Sequence, residues 1–419
     1  MRRAIIAWLL LGLWAGSAPG QTAPRVSSPQ SIREIGVTPG AAIARTTLTA
    51  AEAGATIDFE VALRMRNFAE LQQRVARHEH IERAEMAAKY HPLAGDYAAV
   101  LAWLKSQGLT VVAEDPNQLA VFARGTVAQL SAAFQASFAR VTFRGQEYTA
   151  ATSAPTLPAE IAPVVLGING LQPHLRPQKH LRTAAMGKQS TSGNGPPFLP
   201  SQIALAYNGS NVNQTGAGQT IAIVIDTFPA NSDLTSFWSQ AGVAQSLSNI
   251  QEIQVVSGTL PAPSGEETLD VEWSSGLAPG ATIRVYATVD LAFAHLDQAY
   301  AQLYADLPNQ PALHQLSMSF GLGEIYCADS QMSTDEQYFA SIASAGVTIF
   351  VSSGDGGSDP LSTGKVGGTK ATVENPSNSP SVTAVGGTSL TVNSTTGAET
   401  SETVFAPSKA QSERKPKHM

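Results

Sequence analysis

One run of residues, Thr220-Ile221-Ala222-Ile223-Val224-Ile225-Asp226, restricts the possible folds more than any other stretch of the chain. An unbroken, β-branched apolar run closed by a carboxylate has the pattern of a parallel strand buried on both faces, with a functional group at its C-terminal end. Such a strand needs parallel partners joined by helical crossovers. The residues that follow supply them. Helices are expected over 232–242, 291–303 and 334–345, and strands over 282–287, 315–320, 347–352 and 381–385. The expectation is an α/β unit with a doubly wound parallel sheet that binds ligands outside its strand C-termini. Asp226, Ser319-Phe320-Gly321 and Asp355 would gather at that end.

Between the first two of these strands lies a further helix, Ser264 to Leu277, stopped by Pro279-Gly280. Ser264 and Glu267 fit a capping box. Leu269, Trp273 and Leu277 make one apolar stripe at helical spacing, and Glu266 and Asp270, one turn apart, fall within it. Glu267 and Glu272 are expected to point elsewhere, into water. Two carboxylates on an apolar face are costly unless bonded, paired or partly neutral, and close together they should titrate as a pair. They make either a general base with its orienting partner, or a helix-dipole carboxylate beside one buried, hydrogen-bonded aspartate.

The chain has 419 residues, enough for two or three domains, and 43% are hydrophobic, enough for real cores. Only 14% are charged, and the net charge of −7 argues against a general nucleic-acid binder. Residues 1–20 read as a signal peptide: Arg2 and Arg3, an apolar Ala4–Trp14, then Ala18-Pro19-Gly20. The expectation is a secreted protein, extracellular or periplasmic, with no membrane association after signal removal. Cys327 is the single cysteine, which rules out an internal disulfide and a cysteine-based zinc site; it reads as a small core or loop residue. The eight histidines lack metal-ligand spacing.

Residues 21–56, rich in Pro, Ser, Thr and Ala, read as a flexible lead-in. Residues 57–174 read as a compact α+β domain: a strand from Thr56 to Met65, helices over 68–76, 96–105 and 126–134, strands over 109–113 and 118–124, and a hairpin around Arg144-Gly145. Residues 175–197 carry Arg176, Lys179, Arg182 and Lys188 and read as an exposed linker open to nicking.

These features together resemble the sedolisins, the serine-carboxyl peptidases of kumamolisin type. The resemblance rests on Val100-Leu101-Ala102-Trp103-Leu104 and Gly108-Leu109-Thr110-Val111 in the first domain. In the second it rests on Gly265-Glu266 to Asp270-Val271-Glu272, Ser317-Met318-Ser319-Phe320-Gly321, Ser353-Gly354-Asp355-Gly356-Gly357 and Ser379-Pro380-Ser381 to Gly386-Gly387-Thr388. It runs in order from about Ile57 to Phe405. It implies a ferredoxin-like activation (pro-) domain over 57–174, acting as an intramolecular inhibitor, and a subtilisin-like peptidase domain over 198–405. It implies hydrolysis of peptide bonds at acid pH. Glu266 would be the general base, Asp270 its orienting partner, and Asp355, protonated, a donor to the oxyanion. Ser319, Phe320 and Gly321 would offer an edge to the substrate backbone. A carboxylate base remains usable in acid, where an imidazole is blocked as a cation, and a neutral aspartic acid can donate a hydrogen bond. Asp226 reads as a supporting or structural group, because no His-Gly-Thr-type motif follows it.

The pattern departs from the family near its end. The expected Gly-Thr-Ser segment with a proline four residues after the serine is not found, so no nucleophile is identified. Gly387-Thr388-Ser389 imitates it, but Asn393 stands in the proline's place. Residues 406–419 read as an aberrant basic tail left by truncation or frameshift, and the expectation is a C-terminally incomplete peptidase domain. No metal or cofactor is expected in this chain, and the family's calcium site would lie beyond its C-terminus. The polypeptide is therefore expected to be an inactive or poor zymogen, and the competing reading is a pseudo-peptidase that binds peptides or a sister enzyme.

Overall fold

The computed structural model describes residues 24–180, 195–362, 365, 367–368 and 370–404. The expected signal peptide, the linker beyond residue 180 up to residue 194, and the basic tail lie outside them.

The first unit is built on an antiparallel four-stranded sheet in the spatial order Thr110–Glu114, Ala120–Thr126, Thr56–Leu63, Val165–Asn169. The period-two pattern of the central strand decides its two faces. Ile57, Phe59, Val61 and Leu63 face the helices Ala94–Ser106 and Val127–Phe134, where they pack with Val100, Leu104, Leu130 and Phe134. Asp58 and Glu60 alternate with them onto the other face, which meets the second unit. The lead-in is not flexible as expected. Arg25–Ser27 pairs with Thr156–Pro158, and Ala41–Arg45 extends the hairpin formed by Phe138–Phe143 and Gln146–Ala151. These short edge strands are recruited by backbone hydrogen bonds, which leave little periodicity to read. The Arg25 guanidinium adds bonds of 2.6 Å to the carbonyls of Ala133 and Thr156.

The second unit has the expected α/β class. Six parallel strands lie in the order Ile250–Gln254, Thr282–Ala287, Thr220–Ile225, Leu313–Met318, Thr348–Ser352, Thr383–Val385. Thr220–Ile225 sits inside the sheet with Ala222, Ile223, Val224 and Ile225 fully buried. The edge strand 250–254 was not foreseen, because its Ile-Gln-Glu-Ile-Gln pattern is half polar. Helix Asn231–Ala241 packs on helix Glu266–Leu277, and Phe293–Asp306 packs on Asp329–Ser344.

Helix Asp329–Ser344 is covered almost all round, yet much of its buried surface is polar. Gln337 receives the backbone N–H of Met65 (2.7 Å) and donates to the Leu63 carbonyl (2.9 Å), and the Tyr338 hydroxyl donates to Asp115 (3.1 Å). A helix face of this composition can meet either water or the first unit. Among the described residues no helix is long and apolar enough to cross a membrane.

Candidate active site

The helix Glu266–Leu277 begins after Gly265, whose φ of +113° is readily adopted only without a side chain. Its buried face differs from the expected one. Leu269 and Leu277 are 37% and 53% exposed, whereas Glu266, Glu267, Val271 and Ser275 are buried. Small groups allow close approach here: the Trp238 indole N–H donates to Ser275 Oγ at 2.8 Å, and Ser275 donates to the Val271 carbonyl at 2.6 Å. The leucine stripe therefore faces outward.

Glu267 is likewise not solvated. Its Oε1 accepts the backbone N–H groups of Ser264 (2.6 Å) and Gly265 (2.7 Å), and its Oε2 faces Lys179 Nζ at 3.1 Å. Burial alone would push its pKa up, but these donors outweigh it and hold the carboxyl below its ordinary value. The expected capping box is thus half formed: Glu267 reaches back, while Ser264 donates to it instead of accepting from the helix. Glu272 is half-buried, and burial, with the charge of Asp233, pushes it up to about 7.

Glu266 and Asp270 remain one turn apart on the side facing the strand ends. Ser319, just past Leu313–Met318, donates to Asp270 Oδ1 at 2.7 Å. Burial pushes Glu266 up to about 8, with the charges of Asp270 and Asp355 acting the same way and a Ser319 hydrogen bond acting against them. Burial pushes Asp270 up to about 7, against the Ser319 hydrogen bond. Burial and the neighbouring charge therefore prevail over the helix N-terminus, which favours an anion. Asp355 follows Thr348–Ser352 after Gly354 (φ +84°), and its charge reaches Glu266. All three acids lie at one end of the sheet. Ser389 lies on an exposed hairpin formed by Thr388–Val392 and Glu399–Val404.

The edge beyond Ser319 is occupied by the chain itself. Gln178 and Lys179 pair antiparallel with Gly321 and Phe320, and the His180 N–H donates to the Ser319 carbonyl at 3.2 Å. Residues 175–180 are therefore not an exposed linker. Within them Gln178–Lys179 form a short strand beside the acid pair, continued by the His180 backbone bond and held by ladder bonds that sequence alone cannot assign. Lys179 Nζ lies 2.6 Å from Asp226 Oδ1, so Asp226 is an ion-pair partner of this strand.

Three comparisons bear on this arrangement. Residues 45–173 match the family profile of the pro-kumamolisin activation domain. Sedolisin from Pseudomonas sp. (strain 101) is 27% identical over 391 residues, which is 88% of this chain and 66% of that protein. Kumamolisin from Bacillus sp. (strain MN-32) is 28% identical over 321 residues, 74% of this chain and 57% of that protein. The chain is similar to sedolisins over most of its length, and its match to the activation domain covers residues 45–173. The chain spans about half to two thirds of the length of the curated relatives it matches. A solved structure of Pseudomonas sedolisin, a serine-carboxyl proteinase complexed with pseudo-iodotyrostatin, is 29% identical and covers 51% of this chain and 58% of its own, with a TM-score of 0.43.

Sequence reasoning missed several groups in this candidate site. His180 joins Ser352 Oγ through Nδ1 (2.6 Å) and Glu374 Oε2 through Nε2 (2.7 Å). Glu374 is a lone acid in a neutral stretch, fully surrounded in the fold, and gave no motif. The one available signal was the adjacent pair of bases, Lys179-His180, just ahead of the Ser- and Gly-rich segment.

Proposed function

We propose that this chain is the precursor form of a serine-carboxyl endopeptidase that hydrolyses peptides at acid pH, with Glu266 as general base, Asp270 as its orienting partner and Asp355 as the oxyanion donor. The observation that carries this reading is the segment 178–180, which runs as a peptide along Ser319-Phe320-Gly321 next to the acid pair. A substrate added to the same edge would take its backbone bonds from the same groups. The first unit and its following strand act as the intramolecular inhibitor.

The inhibited state also disarms the base. Glu266, pushed up to about 8, is protonated throughout the acid range and cannot accept a proton. Departure of the strand readmits water and relieves burial, the largest cause of that rise; loss of Lys179 acts the other way and is smaller. Once ionised, Glu266 takes the proton of an attacking serine hydroxyl, Asp270 holds the resulting acid through a shared proton, and a neutral Asp355 donates to the developing oxyanion. Secretion follows from the signal-like N-terminus.

The family's Gly-Thr-Ser nucleophile segment is not found in these 419 residues, so the attacking serine is not assigned to a residue here. That feature also favours the second reading, a pseudo-peptidase that holds peptides or a sister enzyme. A peptide-cleavage assay at acid pH on purified chain separates the two. Turnover that Glu266→Ala abolishes would show that this polypeptide is itself an active enzyme. Saturable peptide binding without hydrolysis selects the second reading.

A further inference from the structure

The segment 178–180 is bound by more than its backbone. Consecutive side chains of a strand point to opposite sides, and here each enters a separate acidic recess of the second unit. Lys179 Nζ meets Asp226 Oδ1 at 2.6 Å, Glu267 Oε2 at 3.1 Å and Ser264 Oγ at 2.8 Å. His180 enters the other recess, between Ser352 and Glu374, where its side chain is 6% exposed and that of Glu374 2%. This second recess is cleared by glycine. A Cβ on Gly354 would stand 2.4 Å from Glu374 Cδ, and one on Gly321 would stand 2.5 Å from Glu374 Oε2 and 3.1 Å from His180 Cε1.

Asp226, Glu267 and Glu374 belong to the second unit and stay behind when the strand leaves. A neutral side chain in the first recess would leave Glu267, which has no exposed surface, without its cation. In the second, it would leave Glu374 Oε2 without a donor, beside an Oε1 that already has none. The backbone ladder accepts any sequence, so discrimination falls to these recesses.

We propose that this cleft selects peptides with two consecutive basic residues: a long-chain amine or guanidine received by Asp226 and Glu267, then an imidazole-class base received by Glu374 and Ser352. The inference rests on the reading of the cleft as a peptide site and names the peptide class it takes. The chain's own Lys179-His180 is then a substrate-like inhibitor whose side chains match the recesses.

The test uses the unmodified full chain and two synthetic peptides, Pro-Gln-Lys-His and Pro-Gln-Leu-Leu, each blocked at both ends. Displacement of the chain's own strand is read as faster amide hydrogen exchange at Lys179 and His180. The basic peptide is expected to displace the strand at a concentration at least tenfold lower. Repeating the measurement with single replacements divides the preference: Asp226→Asn weakens the response to lysine in the peptide, and Glu374→Gln the response to histidine. Equal potency of the two peptides, no displacement by either, or a preference unchanged in both variants overturns the proposal. A variant that does not fold leaves the wild-type comparison to decide. Selective displacement without cleavage at acid pH keeps this inference and counts against the enzymatic reading. Cleavage of both peptides at one rate does the reverse.

Discussion

Ser319 Oγ donates to Asp270 Oδ1 at 2.7 Å, and through this bond the strand edge that carries residues 178–180 is fastened to the helix that carries the acid pair. The bond favours the charged form of Asp270 against a burial that favours the neutral one. Ser319→Ala removes the bond and leaves the burial. The Asp270 titration midpoint is therefore expected to move upward from about 7, read from the carboxyl carbon shift in a pH series. A midpoint that stays or falls would show that the bond does not set the proton affinity.

Glu266 ties stability to pH. Its folded value of about 8 lies above its ordinary one, so the folded chain holds a proton there that the unfolded chain releases. Its contribution is unpenalised below about pH 4.5, and stability is lost as pH rises through the interval up to about 8. Glu266→Gln keeps the shape and removes the titration. Denaturant melts should show the variant gaining about 2–4 kcal/mol relative to the parent between pH 5 and pH 8. Parallel pH profiles for the two chains would contradict this.

The contact between the two units carries opposite pH dependences. His295 sits between Asp290 (2.6 Å) and Asp58 (3.1 Å), the latter from the first unit. Burial lowers its proton affinity, but the two carboxylates outweigh it and raise the imidazole to about 9. Its contribution is present below about pH 6.5 and lost as pH rises through 9. Asp58 is also penalised by burial, yet Arg124 and His295 hold it well below its ordinary value, so its share is lost in strong acid. Asp58→Asn should weaken docking of the units by about 1–2 kcal/mol at pH 6 and by much less at pH 2. Hydrogen exchange along Thr56–Leu63 measures it.

Glu60 acts in the same direction as His295 and opposite to Asp58. It is fully buried at the same contact, accepts from Asn169 at 2.6 Å, and burial pushes it up to about 7. Docking is penalised as pH rises from about 4.5 through 7. Glu60→Gln should therefore raise the unfolding midpoint of the full chain at pH 8 and leave it nearly unchanged at pH 4. Thermal melts at both values check this; an equal change at both would mean that packing, not charge, is at work.

Ser275 anchors the site helix. Ser275→Ala leaves the buried Trp238 N–H without its acceptor. A loss of about 1–3 kcal/mol in denaturant melts is expected. A Trp238→Phe, Ser275→Ala double variant should lose less than the sum of the two single changes.

Much of this protein was legible in one dimension. The apolar run Thr220–Ile225 announced a buried parallel strand, and the alternation over Thr56–Leu63 announced a half-covered one, because burial on two faces or one imprints itself on local residue order. The spacing of Glu266 and Asp270 placed both acids on one side of a helix for the same reason. The apolar stripe of that helix misled: Leu269, Trp273 and Leu277 share a face by periodicity, but periodicity does not say whether that face or the one bearing Val271 and Ser275 meets the sheet.

Local order determined the elements, their class and the presence of an acid pair. Tertiary structure decided what surrounds the acids. Lys179 and Glu267 are 88 residues apart, and His180 and Glu374 are 194 apart. Nothing in either neighbourhood specifies the other, since charge pairing and burial depend on distance in space and not along the chain. The same holds for the lead-in strands and for residues 178–180, whose order comes from backbone bonds that any side chain permits and only the folded sheet edge provides.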